Sequence, residues 1–483
     1  MRKTLHCWKR REDRIMNNMK RSIRRIFWLL VLAFFLLLGY LGKLVLVDRH
    51  SISTNAYNTR LRYVDDSIRR GDIIDLNGEV LATSVLQEDG TYVRKYPRAR
   101  MAAHITGYSS VGKTGIEAAE NFEMMTLHNE FFQRLMAVIQ GKELVGNSVV
   151  VTVDMDIQTK AGNLLGNAKG AIVVMEPSTG RILALQGYPD FDPNTVSANW
   201  DALKDDEDSP LVNRATQGLY PPGSTFKLIT ALSVMENIRD WQTRTIACTG
   251  EVEFENKVIH CYNNKAHGTV DLKQALTVSC NSYFAQMTSE IGSIKLREVM
   301  VRAGMETPSK FELAYSQSKI GLEADATESE LVETAIGQGR TAVTPLYMAM
   351  LASAVANEGI MMQPYIVDHI QYSNGKTGKQ TVPKKLAEVC TTQEASILRD
   401  MMVSVVENGT GSAASVNGVT VAGKTGTAEN ATGNDHSWFV GFAPAEDPKV
   451  AVAVVIENAN AYGSATPIAG KVIQEALNQL ENE

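Results

Sequence analysis

Cysteine is scarce in this 483-residue sequence, with five residues and no pair spaced C-x-x-C. The eight histidines form no H-E-x-x-H. Those spacings offer no metal site. Repeats and low-complexity tracts are also missing. With 44% hydrophobic and 21% charged residues, the chain is too apolar for wholesale disorder. Charge of one sign is lacking as well. The formal net charge of −6 excludes a strongly basic nucleic-acid binder.

The charge that is present is unevenly placed. Residues 1–25 hold ten Lys/Arg and two acids, a balance of +8 that leaves −14 on residues 26–483. Between them runs IFWLLVLAFFLLLGYLG, residues 26–42, without a charge. As a helix, Ile26–Val47 would be about 33 Å long, enough for a hydrocarbon core of about 30 Å. Lys43 can snorkel, and Trp28 and Tyr40 fall toward the two ends, where amphipathic rings settle. A signal peptide would have a shorter apolar core and a small-residue cut site, which Lys43–His50 does not offer. The basic flank predicts a cytoplasmic tail at 1–25, an anchor at 26–47 and an extracytoplasmic body. Cys248, Cys261, Cys280 and Cys390 would then lie where disulfides persist. Cys248 with Cys261 is the favoured pair, and buried free thiols are the alternative.

The body reads as a mixture of strands and helices. Arg70–Asp75, Asn77-Gly78 and Val80–Ala82 read as strand, turn and strand. Residues 121–141 read as a helix, Ser148–Val153 as a strand and Asp156–Leu165 as a helix. Gly170–Met175 and Arg181–Gln186 make a hairpin around Glu176-Pro-Ser-Thr-Gly180. Helices are expected at Thr225–Glu236, Leu272–Ile291, Thr344–Asn357 and Lys471–Leu480. Val419–Ala422, Ser437–Phe442 and Val450–Ile456 should be successive strands, the last one central because it is apolar throughout.

Three short motifs carry chemistry. Tyr220-Pro-Pro-Gly-Ser224-Thr-Phe-Lys227 puts Ser224 in a helix's first turn with Lys227 on the same face. A serine hydroxyl is a weak nucleophile without a neighbouring base, and a desolvated lysine near other cations can be one. The second motif is Ser279-Cys280-Asn281, and the third is Lys424-Thr425-Gly426-Thr427. Each pattern recurs elsewhere, at Ser110/Lys113 and Ser316/Lys319, at Ser197/Asn199 and at Lys376–Gly378, so none is specific alone. Their order and setting make them so. Ser-x-x-Lys, Ser-x-Asn and Lys-Thr-Gly together mark penicillin-binding proteins and class A β-lactamases.

The chain resembles the class B, monofunctional penicillin-binding transpeptidases. Arg70-Gly-Asp-Ile, Thr152-Val-Asp154 with Gln158, Asn213-Arg-Ala215, Gly337-Gln-Gly339 and His436-Ser-Trp438-Phe extend the likeness over residues 20–483. The resemblance implies an α+β architecture: one N-terminal transmembrane helix, a small mixed α/β pedestal at 48–147, and a penicillin-binding transpeptidase domain at 148–483. That domain would have an antiparallel sheet flanked by helices, plus a helical subdomain. Carried onto matching residues, the family's roles make Ser224 the acylated nucleophile and Lys227 its base. Ser279 relays protons, Lys424 orients it, and Asn281, Thr425, Gly426 and Thr427 bind substrate. The N–H groups of Ser224 and Thr427 form the oxyanion hole.

The implied activity is D,D-transpeptidation of D-Ala-D-Ala stem peptides, with β-lactams acylating the same serine. No cofactor, metal or nucleic acid is called for. The partners implied are peptidoglycan stem peptides, membrane lipid and a multispan glycan polymerase of the shape, elongation, division and sporulation family. The stretch before the catalytic domain is too short for a glycosyltransferase. A class D-like β-lactamase and a β-lactam sensor are the alternatives.

Overall fold

The computed structural model describes residues 2–46, 69–126, 143–254, 256–430, 434–459 and 463–482. The chain divides into two compact units, 1–60 and 61–483. The first contains one helix, Arg2–Leu46. Its Met19–Lys43 stretch has a mean hydropathy of 2.1 and spans about 37 Å. Leu29, Leu30, Phe35 and Leu36 are all exposed although they point in different directions around the axis. A helix apolar on every face suits lipid better than a one-sided protein core. Val47, the last residue of the expected anchor, and most of the expected 121–141 helix lie outside the described residues; the described part of the latter is Asn121–Met125.

The second unit is built on two sheets. The first has six strands in the order Thr377–Gln380, Val367–Gln371, Ser148–Val151, Ile73–Ile74, Val80–Leu86, Tyr92–Lys95. Its Ile73–Leu86 hairpin turns at Asn77-Gly78, where Gly78 has φ +87°. Asp75 Oδ1 accepts from the N–H groups of Asn77 and Glu79 at 2.9 and 2.6 Å, the local chemistry of an Asx turn. The Val367–Gln380 hairpin carries Lys376-Thr-Gly378 at its exposed end, as its flanking turn residues predict.

Beneath that sheet a buried ion cluster ties residues far apart in sequence. Glu117 receives Arg70 Nε and Arg94 Nε, each at 2.6 Å, while Arg70 also donates to Asn121 Oδ1 at 2.6 Å.

The second sheet is antiparallel throughout, in the order Ala422–Ala428, His436–Ala443, Val450–Ile456, Gly170–Met175, Ile182–Tyr188. Val450–Ile456 is central and every residue in it is buried. Met155–Leu165 and Ala465–Asn482 cover one face. Pro345–Ala356, capped by Thr344, covers the other and is itself almost wholly buried. A helical region between residues 227 and 408, with three two-stranded sheets among the described residues, packs on that second face.

The last expected helix begins six residues early, at Ala465, and the Arg70–Asp75 strand shortens to Ile73–Ile74; three further shifts fall on motifs. The Thr225–Glu236 helix begins as a 3-10 turn, Gly223–Phe226, and turns α-helical only at Lys227. The Leu272–Ile291 helix is two helices, Leu272–Thr277 and Asn281–Ile291. The Val419–Ala422 strand runs Ala422–Ala428 instead, so Lys424–Thr427 lies inside a strand.

Candidate active site

The site forms where those three irregularities meet. Pro221 and Pro222 stop the chain, and Gly223 at φ +52° turns it into the 3-10 turn and helix that carry Ser224 and Lys227. A side chain at Gly223 would meet Thr427 O at 2.3 Å. One at Gly426 would meet Thr225 and Trp438 at 2.9 and 3.0 Å. Only glycine lets the 3-10 turn and the Lys-Thr-Gly strand approach this closely. Gly223 N–H donates to Gly337 O at 2.9 Å, which seats the Gly337-Gln-Gly339 segment behind the turn.

Lys227 Nζ is the hub. It lies 3.0 Å from Ser224 Oγ, 3.1 Å from Ser279 Oγ, 2.9 Å from Ser279 O and 2.5 Å from Asn281 Oδ1. Lys424 Nζ reaches the same Ser279 hydroxyl at 3.0 Å and Thr425 O at 2.9 Å. Ser279 thus bridges two lysines, both fully buried. Burial brings Lys227 down to about 8, partly opposed by the Cys280 and Cys261 thiols. Burial, and then the charge of Lys227, hold Lys424 well below the usual lysine range. Desolvation and like charge both disfavour two ammonium groups here.

Ser279 has φ +59° in the gap between its two helices. That left-handed conformation is uncommon outside glycine and points to a position held by its surroundings. It allows the serine hydroxyl and Asn281 to face Lys227 together. Asn281 Nδ2 also donates to His260 O at 2.7 Å, so both ends of its amide have protein partners.

The Ala422–Ala428 strand is the outer strand of its sheet and, among the described residues, pairs only with His436–Ala443. Thr427 is exposed and Thr425 half-buried along its open side. Spare N–H groups on such an edge can receive an extended peptide.

All the expected site residues therefore belong to one constellation. The Ser110/Lys113 match lies apart in a loop, and Ser316 Oγ is spent on Gln217 O at 3.0 Å.

Other residues join the site through contacts that the sequence did not point to. Thr410 Oγ1 is 2.6 Å from Thr425 Oγ1. Trp438 Nε1 donates to Pro221 O at 3.1 Å, and the Tyr220 hydroxyl donates to Glu457 Oε1 at 2.7 Å. Arg214 Nε holds the same carboxylate at 2.9 Å. The last three contacts each span more than 200 residues of sequence, and although Tyr220, Trp438 and Arg214 fall within quoted motifs, no motif pointed to these pairings.

A buried Ser–Lys pair, a Ser-x-Asn turn and a Lys-Thr-Gly edge strand define a serine acyl-transfer site of the penicillin-recognising kind. Residues 170–475 match the penicillin binding protein transpeptidase domain, and residues 70–149 the penicillin binding protein A dimerisation domain. The chain belongs to the penicillin-binding transpeptidase family.

Its relatives sharpen this. The peptidoglycan D,D-transpeptidase PbpA of Mycolicibacterium smegmatis is 33% identical, over 95% of this chain and 100% of that protein. The peptidoglycan D,D-transpeptidase MrdA of Acinetobacter baumannii is 29% identical, over 78% of this chain and 65% of its own length. Among solved structures, penicillin-binding protein A from M. tuberculosis as an imipenem acyl-enzyme aligns with a TM-score of 0.80 and 33% identity, over 85% of this chain and 99% of that one. The D,D-transpeptidase domain from Eggerthella lenta aligns at 0.79 with 36% identity, covering 86% and 100%.

Proposed function

We propose that this chain is a membrane-anchored D,D-transpeptidase that cross-links peptidoglycan through an acyl-enzyme on Ser224. The observation that carries the reading is Lys227, brought down to about 8 by burial and 3.0 Å from the Ser224 hydroxyl.

Neutral Lys227 accepts the Ser224 proton as Oγ attacks the penultimate D-Ala carbonyl of a stem peptide. The oxyanion develops toward the N–H groups of Ser224 and Thr427, the latter on the open strand edge. The C–N bond breaks, and D-Ala leaves with a proton passed from Lys227 through Ser279. Lys424 orients Ser279 and supplies positive potential. Thr425 and Thr427 receive the substrate carboxylate, Gly426 lets the strand approach, and Asn281 holds the stem-peptide backbone. An amine from a neighbouring strand then takes the acyl group and frees Ser224. A β-lactam acylates the same oxygen and stays.

The full-length chain in detergent, mixed with a fluorescent penicillin, tests this. Stable labelling is expected, lost in Ser224→Ala. Lys227→Ala should slow acylation by about 10²–10⁴, the usual range for loss of a general base. Turnover of the drug within seconds would instead make the chain a class D-like β-lactamase. Failure to label would leave a non-catalytic role.

The same reading places the N-terminus in the cytoplasm and pairs the pedestal with a multispan glycan polymerase. Co-purification from membranes is the check on that pairing, and its absence would remove it.

A further inference from the structure

A largely buried carboxylate behind the nucleophile turn takes no part in the chemistry above. Glu457 follows directly on the central strand Val450–Ile456. Its N–H donates to Lys169 O at 2.7 Å, beside the start of the Gly170–Met175 strand. The side chain is thus rooted in the middle of the sheet.

Two donors converge on Glu457 Oε1. The Tyr220 hydroxyl reaches it at 2.7 Å and Arg214 Nε at 2.9 Å. The remaining guanidinium nitrogens donate to Ser209 O at 3.2 Å and to Asp208 O at 2.7 Å. Ser209 is left-handed there, at φ +49°. Tyr220 and Arg214 are both more than nine-tenths buried. Burial, and then the charge of Glu457, hold the Tyr220 hydroxyl well above the usual phenol range. It therefore stays a donor.

Tyr220 is held along its backbone and ring as well. Its N–H donates to Val343 O at 3.0 Å and its carbonyl accepts from Val343 N–H at 2.8 Å. Its ring meets His436 and Trp438 edge-on, at 5.6 and 6.0 Å between centroids. From Tyr220 the chain runs through Pro221 and Pro222 to Gly223 and Ser224. Proline fixes φ near about −65°, so the two prolines form a stiff spacer. Where Tyr220 sits decides where the turn begins. The turn has little room to move, since a Cβ at Gly223 would meet Thr427 O at 2.3 Å.

We propose that Glu457 is a positioning residue for Ser224: it ties the Tyr220 hydroxyl to the central strand, and through Pro221-Pro222 it sets how Ser224 Oγ faces Lys227 and the Thr427 edge. Arg214 aims the carboxylate. An ion pair needed for stability alone would be complete with Arg214. The added phenol is a tether of one hydroxyl on the segment that carries the nucleophile.

The inference rests on acylation at Ser224. It is tested on the full-length chain in detergent with a fluorescent penicillin, Ser224→Ala being the control. Tyr220→Phe keeps the ring, leaves Arg214 on Glu457 and removes only the tether. A penicillin concentration series separates the limiting acylation rate from the affinity of the first complex. Tyr220→Phe should lower the limiting rate by about 10–10²-fold, the cost of a misplacement of up to about 1 Å. Half-saturation, the final extent of labelling and the pH midpoint near 8 set by Lys227 should stay as in the native chain. Glu457→Gln should also slow the limiting rate. The double variant should be no slower than the slower single one, because both break one link.

A Tyr220→Phe chain with the native limiting rate overturns the positioning role, whatever its melting temperature. So do a loss of affinity at unchanged rate and rate losses that multiply in the double variant. In each of these cases, label lost in Ser224→Ala leaves the acyl-enzyme reading standing. A native chain that takes no label overturns that reading first, and this inference with it.

Discussion

At the scale of single residues, the proposed chemistry turns on how two buried lysines share one serine hydroxyl. Lys227 must be neutral to accept a proton, and burial sets its pKa near 8. The rate of acylation by penicillin should therefore rise about tenfold per pH unit below 8 and level off above it. Lys227→Arg should lose that rise together with the activity, because a guanidinium stays protonated. A flat profile for the native chain would remove Lys227 as the base.

Ser279 makes a second prediction. Its left-handed backbone costs a non-glycine residue about 1–2 kcal/mol. Ser279→Gly should raise the melting temperature while slowing acylation, whereas Ser279→Ala should slow acylation without the stability gain. The identities of Ser224, Lys227, Ser279, Asn281 and Lys424 were legible as letters. Their electrostatics were not, because desolvation depends on what surrounds a side chain in space.

At the scale of elements, the breaks matter more than the helices. Periodicity across Leu272–Ile291 is continuous, so the sequence reads as one helix. The interruption at Ser279 arises where the turn meets Lys227, Lys424 and His260 from other parts of the chain. The Lys-Thr-Gly strand was misplaced by a few residues for the same reason. Its glycine, lysine and alanine residues are poor strand formers, and pairing with His436–Ala443 overrides that preference. Gly223→Ala should test how tightly the strand and the nucleophile turn are fitted. With its Cβ 2.3 Å from Thr427 O, one must move, and penicillin labelling should fall by about 10²-fold or more.

The Arg70–Glu117–Arg94 cluster belongs to this scale too. Burial alone would raise Glu117, but Arg94 and Arg70 overcome it and hold the carboxyl near 2. A lowered carboxylate pKa contributes stability that is fully present above its ordinary value near 4.5 and is lost as pH falls toward 2. Glu117→Ala should strand two buried guanidinium groups and cost about 3–5 kcal/mol in a denaturant melt. It should also flatten the acid limb of the stability curve between those two pH values.

At the scale of the whole molecule, the chain separates into an apolar N-terminal helix and one large folded unit. Removing residues 1–46 should release the remainder from membranes without changing its rate of acylation by penicillin, measured on the same fluorescent label. A truncated chain that still floats with vesicles would place a membrane contact elsewhere.

The apolar N-terminal helix, the central strand and the three motifs were determined by sequence alone, since each is a local pattern of hydropathy, turn residues or spacing. The meeting of those motifs around two lysines was decided only by tertiary structure. So was the edge position of the Lys-Thr-Gly strand. Their distances and burial are set by strand order and long-range packing, which no local window of residues contains.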